Sequence, residues 1–72
     1  MEDLMITLRQ EQRQAALRCS DWRYRAKLAR EAGDEQDALV KSELADYQLG
    51  IYSGLGQAIR LMRERMLADA RG

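Results

Sequence analysis

Seventy-two residues with one cysteine, no histidine, no proline and a formal net charge of zero bound the chain to one thin domain, because chains this short conceal only about 60% of their unfolded surface. A lone thiol excludes an intramolecular disulfide, the missing imidazole excludes a conventional zinc site, and twelve basic residues balanced by twelve acidic ones lack the overall charge of a nucleic-acid binder. Stability is therefore expected from oligomerisation or from very regular helix packing.

The first element is a helix over residues 3–32. Met5, Leu8, Gln12, Ala15, Cys19, Trp22, Ala26, Ala29 and Gly33 follow one another at alternating spacings of three and four, which is the pattern of a coiled-coil seam. Most of these residues are small, so a partner helix can lie close, with Trp22 as the one large plug and Gln12 as a polar register point. A second stripe, Ile6, Leu17, Tyr24 and Leu28, falls on nearly the opposite side at 100° per residue. A helix apolar on two faces needs two neighbours.

The break follows at residues 33–34. Gly33 suits the left-handed position after a helix, and Asp34 suits the cap of the next one. Glu35 and Asp37 then place negative charge in the first turn of a second helix, where its dipole favours them. That helix is expected over residues 35–69, which makes the fold class all-α: one domain, 1–72, formed by an antiparallel helical hairpin.

Helix 2 carries Val40, Leu44, Tyr47, Ile51, Gly54, Ala58 and Leu61 in one continuous phase, with Tyr52, Leu55, Ile59, Met62 and Met66 running beside it. The combined arc is wider than one antiparallel partner covers. Two hairpins pairing as a homodimeric four-helix bundle would cover it. Gly50, Gly54 and Gly56 each cost an interior helix about 1 kcal/mol relative to alanine, and small residues at four-residue spacing point to close approach of another backbone. The expected packing and oligomer interface is Trp22, Tyr47, Gly50, Ile51, Gly54, Leu55, Ala58, Ile59 and Met62. A glycine-induced kink within residues 53–56, giving three helices, is the structural competitor.

Charge is neutral in sum but segregated. Arg18, Arg23, Arg25, Lys27 and Arg30 gather around Trp22 and Tyr24, whereas Glu31, Asp34, Glu35, Asp37, Glu43 and Asp46 make the hairpin tip acidic. Arg23, Lys27 and Arg30 are the candidate nucleic-acid contacts, since arginines meet phosphates and aromatics stack on bases. Helical geometry splits this patch, however, by pointing Arg18 and Arg25 away from Arg23 and Lys27. Asp34, Glu35 and Asp37 form a candidate acidic docking tip, against which stands their plain use as capping groups in a soluble turn.

Chemistry finds little footing. There is no phosphate-cradling glycine loop, no nucleophile elbow and no calcium-loop spacing, so no cofactor, metal or catalytic residue is assigned and the chain reads as a non-enzyme. Cys19 stands beside Arg18, but its seam position makes it a small buried hydrophobe. No apolar run approaches the roughly 20 residues of a membrane span, and the opening Met1-Glu2-Asp3-Leu4 lacks the basic start of a signal peptide. A cytoplasmic chain without a membrane partner is expected.

The run Tyr47-Gln48-Leu49-Gly50-Ile51-Tyr52-Ser53-Gly54-Leu55-Gly56-Gln57-Ala58-Ile59 resembles the tyrosine- and glycine-containing helix of small phage and prophage accessory proteins. The resemblance covers residues 47–59 and has no counterpart in helix 1. It implies a compact protein that binds and modulates or inhibits a host protein complex. The expected function is thus a protein–protein interaction module acting as a homodimer with a further protein partner; a nucleic-acid-binding regulator and a structural assembly subunit are the alternatives.

Overall fold

The computed structural model describes residues 2–71 and contains two helices, α1 (Glu2–Glu31, 30 residues) and α2 (Glu35–Arg71, 37 residues). The expected boundaries, 3–32 and 35–69, differ from these by the one or two residues over which helix ends fray. Met1 and Gly72, the ends of the expected domain, lie outside the described residues. Alanine, leucine, arginine, glutamine and glutamate dominate α1, and these are the residues that lose least on entering a helix. Glu2 and Asp3 in its first turn and Arg30 in its last complement the helix dipole.

The turn is built by hydrogen bonds that close one helix and open the next. Gly33 adopts φ +82°, the left-handed conformation that a side chain resists. Its N–H donates to the Arg30 carbonyl at 3.0 Å and that of Asp34 donates to the Ala29 carbonyl at 2.9 Å, which satisfies the terminal carbonyls of α1 in a Schellman arrangement. Asp34 then caps α2: its Oδ1 accepts the Asp37 N–H at 3.0 Å while its carbonyl accepts the first helical bond from Ala38. Gly33, the last residue of the expected α1 seam, is therefore the turn itself.

The seam that faces α2 is the Met5 to Ala29 stripe. Met5, Ala15, Cys19, Ala26 and Ala29 are buried, and Leu8, Gln12 and Trp22 are half-buried between them. In α2 the complementary stripe is Ala38, Lys41, Ala45, Gln48, Leu55, Ile59, Met62 and Met66, buried or half-buried at spacings of three and four except for one step of seven from Gln48 to Leu55, where Tyr52 is exposed. Its C-terminal half is the Leu55–Ile59–Met62–Met66 row legible in the sequence; its tip half, alanine-lined, carries no comparable hydrophobic signal. Lys41 enters this half with its stem in the seam and its ammonium held by Asp37.

Counting back from the turn of an antiparallel hairpin sets Ala29 level with Ala38, Trp22 with Ala45, Ala15 with Tyr52, Gln12 with Leu55, and Met5 with Met62. A long polar contact agrees with that register: Gln12 Nε2 donates to the Tyr52 carbonyl at 3.4 Å. Trp22–Ala45 and Tyr52–Ala15 set a large side chain level with a small one, and Ala29–Ala38 sets two small ones level, which is how alanine-rich helices lie close. α2 runs unbroken through Gly50, Gly54 and Gly56, so residues 53–56 do not divide it into two helices.

The molecule measures 59 × 15 × 11 Å with a radius of gyration of 16.8 Å, against about 11 Å for a compact globule of this length. It is a rod two helices thick. Replacing Asp34 with alanine should lower stability by about 1 kcal/mol through loss of the cap, and Gly33→Ala by about 1–2 kcal/mol through strain at positive φ. Urea denaturation measures both, and unchanged midpoints would contradict this account of the turn.

Candidate interaction surfaces

Five of the eight buried residues are alanines, and no large side chain is fully buried among the described residues. Each alanine methyl contributes on the order of 0.8 kcal/mol on burial, so the seam conceals little apolar surface for its length. The consequence shows outside. Val40, Leu44, Tyr47 and Leu61 are exposed, Tyr47 to 66%, and with half-buried Ile51 and Ala58 they form a continuous stripe along one flank of α2.

The expected interface residues thus divide. Trp22, Leu55, Ile59 and Met62 sit at the hairpin seam, half-buried or buried, while Tyr47, Gly50 and Gly54 are exposed on α2. Nothing lies within 4 Å of where a Cβ would stand on Gly50 or Gly54. Inside the hairpin, close approach falls to Gly56 instead, where a Cβ would stand 2.9 Å from Gln12 Nε2. The missing side chain there makes room for the amide that reaches the Tyr52 carbonyl.

The opposite flank of the hairpin is cationic. Arg9, Arg13, Arg23, Lys27 and Arg30 fall on one side of α1 at multiples of the three-and-four spacing. Arg9 and Arg13 border a cleft with Gln12, Ala16, Tyr52, Ile59 and Arg63, and Arg23 borders its continuation beside Leu49 and Tyr52. None of these cations forms an ion pair among the described residues; the pairs are Arg25–Asp21 at 3.2 Å, Lys41–Asp37, and a loose Arg60–Glu64 at 4.0 Å. Arg23, Lys27 and Arg30 therefore belong to a longer row whose upper members, Arg9, Arg13 and Arg63, the reading of the sequence missed. The signal was present, because Arg9 and Arg13 continue the spacing toward the N-terminus and only Arg63 needs the tertiary fold. Arg25 leaves the row: its guanidinium lies 5.1 Å from the Trp22 ring centroid, a cation–π contact on the other flank.

At the tip, the Asp34 carboxylate accepts the Asp37 N–H and the Asp37 carboxylate holds Lys41, which leaves Glu35 as the one member of the acidic trio without such a contact. Cys19 is buried in the seam as a free thiol. Among the described residues, no three His, Cys, Asp or Glu side chains are placed to hold a metal, and no helix is long and apolar enough to cross a membrane. In comparisons with protein-family models, curated proteins and solved structures, the chain matches none.

The two kinds of glycine respond differently to a methyl group. Gly50→Ala should raise hairpin stability by about 1 kcal/mol through helix propensity alone. Gly56→Ala should be close to neutral, because displacing the Gln12 amide offsets that gain by about 1 kcal/mol. Parallel thermal melts compare the two, and equal gains would remove the role assigned to Gln12.

Proposed function

We propose that this hairpin is a non-catalytic protein–protein interaction module whose working surface is the apolar flank of α2 and whose first partner is a second copy of itself. The observation that carries this reading is surface area. The chain exposes 5700 Å², about 1,100 Å² more than the roughly 4,600 Å² expected of a compact monomer of this mass. A standard interface conceals about 800 Å² on each partner. One such contact would bring the chain back to ordinary proportions, and the Val40 to Leu61 stripe gathers Val40, Leu44, Tyr47 and Leu61 on one flank of α2, whereas Ile6, Leu17, Tyr24 and Leu28 stand exposed on α1. The resulting assembly is a four-helix bundle of two hairpins. The resemblance of residues 47–59 to phage accessory proteins adds a further protein partner, a host complex that the bundle binds and modulates, in the cytoplasm.

The stripe also separates folding from association. Leu44→Glu with Leu61→Glu places charge on two exposed positions outside the buried seam, so the helices should persist while the dimer dissociates. Gly54→Leu acts the same way: it favours the helix by up to about 1 kcal/mol yet overfills a close contact between copies. Sedimentation equilibrium with circular dichroism reads both quantities. A native chain that stays monomeric up to millimolar concentration would end the reading.

The unpaired cationic row supports a second reading, a nucleic-acid-binding regulator in which Arg9, Arg13, Arg23, Lys27 and Arg30 track a phosphate backbone. Its affinity should then fall with salt at a log–log slope of roughly −4 on duplex DNA, and weaken on any sequence when Arg9, Arg13 and Arg23 become glutamine. Absence of anisotropy change with duplex or single-stranded probes at low salt would discard it.

A further inference from the structure

Resting on the interaction reading above, we infer that two copies pair through α2 in antiparallel orientation about a twofold axis lying between Ile51 and Gly54. Three features of the chain converge on that geometry.

The first is steric. In an antiparallel pair centred there, Ile51 comes level with the partner's Gly54, Tyr47 with the partner's Ala58, and Leu44 with the partner's Leu61. The two central layers each set a large side chain against a small one, the same device that closes the hairpin seam, where Trp22 lies level with Ala45. It also gives Gly54 a reason to be glycine, since nothing within its own chain requires one.

The second is charge along α2. Its tip half carries Glu35, Asp37, Glu43 and Asp46 against Lys41, and its far end carries Arg60, Arg63, Arg65 and Arg71 against Glu64 and Asp69. Antiparallel pairing lays each acidic half on the partner's basic half, with Arg65 within about one helical turn of the partner's Asp37 and Glu43. Parallel pairing stacks the two acidic tips on each other.

The third comes from α1. Glu11, Arg18 and Arg25 lie on the same flank as the α2 stripe, and Glu11 and Arg18 form no ion pair among the described residues. With the axis between Ile51 and Gly54, Glu11 of one copy falls level with Arg18 of the other, twice by symmetry. A bundle with the twofold along its length would instead press the apolar stripe onto this flank and bury Glu11 and Arg18 without partners, beside the Arg25–Asp21 pair.

Distances between spin labels test orientation and register together. In a Cys19→Ala background, a nitroxide at Gln36→Cys should lie about 50 Å from its counterpart along the dimer, whereas one at Gln57→Cys should lie within about 20 Å. Both sites are exposed and outside the stripe, and circular dichroism confirms that the labelled chains remain helical. A dimer with both distances short is parallel and overturns the inference while leaving the interaction reading intact. A dimer with both distances long overturns the register. A monomer at all concentrations overturns the inference and the interaction reading together.

Discussion

Trp22 lies level with Ala45, and toward the tip Ala26 and Ala29 on one helix and Ala38 on the other line the seam, so two long helices lie side by side while concealing little. The rest of the molecule follows from it. Alanine supplies close approach and good helix propensity but almost no buried area, so the seam sets register without providing a core. The side chains that would ordinarily fill a core, Val40, Leu44, Tyr47 and Leu61 among them, stand on the flank of α2 instead. Their exposure is the counterpart of the thin seam.

Polar groups reinforce that register at the tip and toward the middle. At the tip, Gly33 and Asp34 turn the chain and cap α2, and the Lys41–Asp37 pair keeps an ammonium from being buried alone in the alanine half. Toward the middle, Gln12 crosses to the Tyr52 carbonyl beside Gly56. These contacts fix which residues lie level, and hence which flanks of the two helices share a face. One shared face is apolar on α2 and cationic over Trp22; the other is a shallow cleft edged with unpaired arginines.

Much of the hairpin was legible before the structure. The Gly33–Asp34 pair announces its turn through conformation and capping, both local properties, and the α1 seam announces itself through an uninterrupted three-and-four spacing from Met5 to Ala29. The facing stripe of α2 was harder. Two apolar rows run along that helix at neighbouring phases, and the row that looks stronger, from Val40 to Leu61, is the one left outside. The choice between them depends on complementarity with Trp22 and on the reach of Gln12, which exist only once both helices are in place. The glycines misled for the same reason: their spacing shows that a face is small without showing what approaches it, and only Gly56 meets α1. The cationic row was read in part, since Arg23, Lys27 and Arg30 share a flank by helical geometry, while Arg63 joins it solely through the hairpin.

The central claim is that the seam alone conceals too little apolar surface and that a second copy supplies the remainder. Thermal unfolding followed by circular dichroism over a hundredfold range of protein concentration tests it most directly. If folding is coupled to pairing, the midpoint rises steadily with concentration by mass action. A cooperative transition whose midpoint is the same at every concentration would show that the hairpin is self-sufficient and contradict the account.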